Sequence, residues 1–178
     1  VDAYMAACLG DAKHGYYMGK DPFGTAGDFV TAPEISGLFG EMCGFYLAHM
    51  FELAGAPSQA EIVEFGPGRG TLMRDMHLIW QRLMPDLATL PVNLVETSPA
   101  RRQHQGETVK PLVPVWHNTH QTLPATPLFG IANEFFDALP VAQLIWRNDA
   151  WHWRCVGLEA TQLAFTDGPS LTPAEHDR

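Results

Sequence analysis

The sequence predicts an α/β fold built on a parallel sheet, and three observations carry that expectation. Residues 61–65, "EIVEF", read as a short buried strand carrying a carboxylate, Glu64, near its end. Gly66, Gly68 and Gly70 follow at every second position, and Thr71 then opens a segment with Leu72, Met76, Ile79, Trp80 and Leu83 on one helical face. A second strand, acid, turn and helix follow from Val92 onward. Strand, glycine turn and helix form the first unit of a nucleotide-binding α/β fold, in which the backbone turns tightly and lies against a ligand with no Cβ in the way.

In chain order, the first thirty residues interleave Tyr16, Tyr17, Phe23 and Phe29 with Gly15, Gly19, Gly24 and Gly27. That mixture supports neither a long helix nor a regular strand, and a structured loop is expected. Thr31, Ala32, Pro33 and Glu34 read as a capping box opening one helix, with Ile35, Leu38, Phe39, Met42, Tyr46, Met50 and Leu53 on its apolar side. Gly37, Gly40 and Gly44 recur along it, each at a cost of up to ~1 kcal/mol of helix propensity, which suggests close approach of another backbone or a ligand. Gly55 and Pro57 end it. Strands are expected near 61–65, 92–96, 112–116 and 128–133, with parallel pairing and right-handed crossovers. Ser98 and Pro99 open the helix after the second strand as cap and first residue. Residues 141–166 alternate as a β-hairpin turning near Asn148 and Asp149, after which proline and glycine take over.

The glycine spacing selects among ligands. A dinucleotide fingerprint is G-x-G-x-x-G, whereas this turn is G-x-G-x-G with an acid two positions ahead. A phosphate loop would carry Gly-Lys-Ser/Thr, and Gly70-Thr71 lacks the lysine. Glu64 suits poorly a pyrophosphate but well the sulfonium and ammonium of S-adenosylmethionine. Glu96, at the end of the second strand, suits the paired ribose hydroxyls, which offer two donors to two carboxylate oxygens. The expected cofactor-binding set is therefore Glu64, Gly66, Gly68, Gly70, Glu96 and Asn133, with a loop that binds nothing as the plain alternative.

Four blocks then resemble one family: "GDFVTAPEIS" (27–36), "VEFGPGRGTLMRD" (63–75), "VNLVETSPARRQHQ" (92–105) and "ANEFFDALPV" (132–141). In this order they are similar to the methyltransferase family of uncharacterised bacterial proteins and the mitochondrial arginine methyltransferase that assists respiratory complex I assembly. The resemblance implies a Rossmann-like class I S-adenosylmethionine-dependent methyltransferase fold, with an N-terminal helix-and-loop extension and a β-hairpin insertion. It implies S-adenosylmethionine as cofactor, and an arginine-bearing protein, such as a respiratory-complex subunit, as substrate. A seven-stranded methyltransferase sheet needs more chain than this, so the C-terminal part of the sheet is expected to be missing. The expected division is residues 1–58 as a region covering the site and 59–178 as the cofactor-binding domain.

Composition narrows the partners. With 46% hydrophobic and 17% charged residues, the chain is an ordinary globular sequence. Its net charge of −9 opposes nucleic-acid binding, which needs a basic surface, and permits a basic peptide or arginine-bearing protein. Cys8, Cys43 and Cys155 form no Cys-x-x-Cys pair, so neither a disulfide framework nor a thiolate zinc site is expected. No apolar run approaches the ~20 residues of a membrane span. A cytoplasmic setting is expected, or the mitochondrial matrix in a eukaryote.

The chemistry is expected at the carboxyl ends of the strands. Glu134 and Asp137, three apart after the fourth strand, would share a face of a helical turn and could grip a guanidinium bidentately. Methyl transfer needs positioning more than acid–base work, but arginine must lose a proton from a group of pKa above ~12, so a carboxylate acceptor is useful. Either acid could instead cap the next helix. Asp28, with no local structural task, is a third catalytic candidate, while Glu34 is accounted for by its capping box. His117 and His120 read as solvated loop residues rather than metal ligands, and Trp146, Trp151 and Trp153 as cross-strand packing. The main competing reading is an assembly factor that keeps the fold without catalysis; a nicotinamide oxidoreductase is disfavoured by the glycine spacing.

Overall fold

The computed structural model describes residues 1–11, 13–19 and 28–176. Phe23, Gly24 and Gly27 of the expected aromatic loop lie outside them. The chain forms two compact units, Asp21–Phe136 and a second composed of Val1–Lys20 with Asp137–Arg178. The units part at 20/21 and 136/137.

In the Asp21–Phe136 unit, strands β1 (Glu61–Phe65), β2 (Val92–Val95), β3 (Val115–His117) and β4 (Leu128–Ala132) form one parallel sheet in the order β3-β2-β1-β4. The chain runs outward from β1 through β2 to β3, then returns to the other side of β1. Such a reversal leaves a crevice at the carboxyl ends of the central strands. β3 is shorter and later than the 112–116 expected, because Pro111 and Pro114 lack the N–H that a strand's ladder needs.

Helix α5 (Thr71–Leu83), followed by the four-residue α6 (Pro85–Ala88), lays Leu72, Met73, Met76 and Trp80 against Ile62 and Leu94, all buried. Helix α4 (Gly37–Leu53) packs on α5, and there the expectation fails twice. A four-residue helix α3 (Ala32–Ile35) is separated from α4 by Ser36, whose extended backbone (φ −154°) and Oγ, accepting the Leu38 N–H at 3.2 Å, start a new helix. Thr31 makes no side-chain cap. The buried side of α4 is Gly40, Gly44, Leu47, Ala48 and Phe51, whereas Ile35, Leu38, Met42, Tyr46, Met50 and Leu53 are exposed. The glycines decide this. A Cβ on Gly40 would lie 2.5 Å from the Asp75 Cβ, and one on Gly44 would lie 2.9 Å from the Met76 Cα. The absence of side chains there lets the two helices approach closely, and Trp80 Nε1 donates to the Gly44 carbonyl at 2.7 Å across the contact.

In the other unit, β5 (Leu144–Arg147) and β6 (Ala150–Glu159) form the expected hairpin. Asn148 (φ 49°) and Asp149 (φ 58°) are both left-handed, as the strand twist favours in a two-residue turn. Trp146 faces Trp151 with ring centroids 5.3 Å apart. A third strand, β7 (Gln162–Ser170), extends the sheet, starting within the expected 141–166 segment and running four residues past it through Gly168 and Pro169. Pro169 is tolerated because β7 is an edge strand, and Gly168 because a Cβ there would lie 2.7 Å from Cys155 Sγ. The Val1 backbone nitrogen donates to the Arg154 carbonyl at 3.0 Å, tying α1 (Asp2–Gly10), which precedes the four-residue α2 (Tyr16–Gly19), to this sheet.

Candidate functional site

The turn between β1 and α5, residues 66–70, contains Gly66, Gly68 and Gly70, all left-handed at φ 61°, 53° and 84°. Only glycine adopts that backbone routinely. Their surroundings differ. A Cβ on Gly66 would lie 2.6 Å from the Phe135 ring, and one on Gly70 would lie 3.1 Å from Val109 and 3.5 Å from the Gln105 Cα. A Cβ on Gly68 would meet nothing within 4 Å. Two of the glycines therefore admit protein, and Gly68 faces open space.

Beneath the turn, Glu64 sits in β1 between β2 and β4, 3% exposed. Burial pushes its carboxyl up to about 8. Among the described residues its Oε2 has no hydrogen-bond partner. The Cys43 thiol of α4 is pushed up by its own burial and then by the Glu64 charge. An orphaned, desolvated carboxylate is costly unless something cationic shares the site.

Glu96 follows β2 and is also buried, with both oxygens engaged. Oε1 accepts the Ser98 N–H at 2.8 Å; Oε2 accepts Gln105 Nε2 at 3.3 Å and lies 3.6 Å from Arg101 Nη1. Ser98 caps α7 (Pro99–Thr108) as expected, its Oγ facing the Arg101 N–H at 3.5 Å. Gln105, on the same helix, is fully buried; it also donates to the Gly68 carbonyl at 2.9 Å and accepts from Trp116 Nε1 at 3.0 Å.

Past the end of β4, Asn133 is half-buried and Glu134 exposed in a bend. Glu134 has φ 47°, a strained conformation for a non-glycine residue. Phe135 then packs on Phe65 at 5.9 Å between centroids and over Gly66, which brings this bend beside the glycine turn. Glu64, Gly66, Gly68, Gly70, Glu96 and Asn133 thus share one rim, with Glu134 on its exposed flank. Glu134 precedes the 3-10 turn Phe136–Ala138 rather than lying on it, so the expected shared helical face with Asp137 does not form. Asp137 belongs to the other compact unit, and Asp28 lies exposed in a bend ahead of α3.

Two residues of this region escaped the sequence reading of roles. Glu34 accepts the Thr71 hydroxyl at 2.5 Å and lies 3.6 Å from Arg69 Nη1, instead of turning back on its own helix. Beside that contact is a polar cleft of about 370 Å³ lined by Glu34, Arg69, Thr71, Arg74 and His104. Gln105 had one signal, a position one helical turn beyond Arg101, which puts both side chains on the Glu96 face of α7. His117 is not a solvated loop residue: it lies in β3 with Nε2 2.9 Å from Asn93 Oδ1 and Nδ1 2.9 Å from Thr122 Oγ1.

Residues 42–177 match the model of a family described as "putative S-adenosyl-L-methionine-dependent methyltransferase". The mitochondrial protein arginine methyltransferase NDUFAF7 homologue of Drosophila melanogaster is 37% identical over 85% of this chain and 39% of its own length. The human mitochondrial protein arginine methyltransferase NDUFAF7 is 32% identical over 98% of this chain and 46% of its own. A Burkholderia thailandensis protein solved with S-adenosyl-homocysteine superposes with a TM-score of 0.79 at 26% identity, over 99% of this chain and 47% of that one. The chain thus spans less than half the length of the curated relatives it matches. The family match covers most of the chain, and the chain belongs to this S-adenosyl-L-methionine-dependent methyltransferase family.

Proposed function

We propose that the protein binds S-adenosylmethionine across the glycine turn and transfers its methyl group to an arginine side chain of a protein. The observation that carries the reading is the buried, unpartnered Glu64 Oε2 beneath a turn whose central glycine faces open space. Those features fit a compact cationic ligand better than a pyrophosphate. When bound, the cofactor would supply an electrophilic methyl carbon on a sulfonium, which passes to a substrate nitrogen as its C–S bond breaks and S-adenosylhomocysteine is left.

The chain's own residues do the rest. Gly68 leaves the backbone open to contact, Glu64 balances the ligand's positive charge, and Glu96 accepts the ribose hydroxyls. Asn133 closes the rim from β4. Glu134 holds the substrate guanidinium and takes its proton, and its strained backbone aims the carboxylate at the cost of a conformation that function would maintain. Holding the reacting groups in line removes several kcal/mol of the barrier without elaborate acid–base machinery. Asp28 and Asp137 are alternative acceptors, each decided by its own alanine variant. The relatives named as protein arginine methyltransferases support the substrate class. A respiratory-complex subunit is one protein of that kind, and a matrix or cytoplasmic location goes with it.

The test is incubation with methyl-labelled S-adenosylmethionine and a lysate, followed by mass spectrometry of the labelled proteins. Label on arginine, absent with a Gly68→Val variant, supports the reading. Label on another residue type, or none, rejects the arginine assignment.

A further inference from the structure

We infer that Gln105 is a positioning residue that fixes the Glu96 carboxylate against the glycine turn and so presets it for a ribose. The geometry allows one orientation of the amide. Trp116 Nε1 is a donor only, so the Gln105 oxygen, 3.0 Å away, faces the indole. The NH2 group then points at two acceptors, the Gly68 carbonyl at 2.9 Å and Glu96 Oε2 at 3.3 Å. A single buried amide therefore joins the turn to the acid at the tip of the neighbouring strand. The join is rigid, because Gln105 has no exposure and stands on a helix whose first turn is capped by Ser98.

Glu96 has no slack elsewhere. Its other oxygen is held by the Ser98 N–H at 2.8 Å, and Arg102 donates to its backbone carbonyl from Nε at 2.8 Å. Without the Gln105 amide, Oε2 keeps, among the described residues, the 3.6 Å approach of Arg101 Nη1. The carboxylate would then rotate toward that cation, and the Gly68 carbonyl would lose its partner. Glutamate cannot replace this glutamine, because it would set an acceptor against two acceptors; methionine fills the volume but donates nothing.

The proposal rests on the reading of Glu96 as the ribose acid, and the experiment separates the two. Calorimetric titration measures the preference of each variant for S-adenosylhomocysteine over its 2′-deoxyribose analogue, with thermal unfolding in parallel. The parent is expected to prefer the ribose ligand by roughly tenfold or more, the ordinary weight of one charged hydrogen bond. In Gln105→Met that preference should fall below about threefold even where stability is retained, an effect that packing alone would not produce. Trp116→Phe frees the amide to turn over while leaving it in place, and should also reduce the preference; it carries the test if Gln105→Met does not fold. A Glu96→Ala variant that keeps the full preference overturns the ribose reading itself. If Glu96→Ala abolishes the preference while Gln105→Met and Trp116→Phe retain it, Gln105 has no positioning role.

Discussion

The Glu34 carboxylate accepts the Thr71 hydroxyl at 2.5 Å, joining helix α3 to the residue that opens α5 across 37 positions of chain. Arg69, the side chain between the second and third glycines of the turn, lies 3.6 Å from the same carboxylate. One acid thus buttresses the turn from outside while Gln105 ties its carbonyl from within.

Breaking the outer contact should cost stability moderately. Thr71→Val removes the hydroxyl, keeps the shape, and leaves a partly buried carboxylate short of a donor. Unfolding free energy is expected to fall by about 1–2 kcal/mol in a urea titration, whereas Thr71→Ser should stay close to the parent. A Thr71→Val variant as stable as the parent would show that Glu34 is satisfied without it.

Glu64 predicts a pH dependence of definite sign. Its carboxyl titrates at about 8 when folded, against a reference value of 4.5. Between those values the folded protein holds a proton that the unfolded chain has lost. Its contribution to stability is therefore complete below about pH 4.5 and is lost as pH rises through about 8. Glu64→Gln, which stays neutral, should raise the melting temperature of the ligand-free protein at pH 8 and give little difference near pH 5. The same variant should weaken binding of S-adenosylhomocysteine. A parent more stable than the variant at pH 8 would mean that Glu64 has a cationic partner within the protein.

The glycines of the turn should respond differently to substitution. Both Gly66 and Gly68 are left-handed, so any side chain costs about 1–2 kcal/mol of backbone strain. Gly66→Ala adds a collision 2.6 Å from the Phe135 ring and should lower the melting temperature further than Gly68→Ala. Gly68→Val should fold yet lose S-adenosylhomocysteine binding, since its side chain enters the open space. Retained affinity in a folded Gly68→Val variant would remove the turn from the site.

Glu134→Gln keeps size and one acceptor oxygen but removes the charge that would hold a guanidinium. Arginine methylation is expected to fall by roughly two orders of magnitude or more, within the range of proton-transfer catalysis, with cofactor affinity little changed. Loss of affinity in step with activity would put Glu134 in the cofactor pocket. Unchanged methylation would mean that Glu134 neither holds the substrate nor takes its proton, and Asp28 would be the next residue to test.

Local rules made the centre of the fold legible. The β1–turn–α5 unit, the acid and cap at Glu96 and Ser98, and the Asn148–Asp149 turn each follow from residues adjacent in sequence. What stayed hidden depends on partners distant in sequence. The bulky side of α4 looked like its core face, but Gly40 and Gly44 admit α5 on the other side. Glu34 satisfied a capping pattern on paper, and only the packing of α3 on α5 gives it the Thr71 hydroxyl. The far end of strand β7 was masked by Gly168 and Pro169, which an edge position tolerates. In the site, chemistry-bearing acids and glycines were visible, whereas Gln105 was not, because its task exists only once helix, sheet and turn meet.

The most direct test is calorimetric titration of the protein with S-adenosylhomocysteine and, separately, with NAD. S-adenosylhomocysteine should bind at one site per chain, with affinity lost in Gly68→Val and reduced in Glu96→Ala, and NAD should give no binding heat. Saturable NAD binding with no response to S-adenosylhomocysteine would contradict the account.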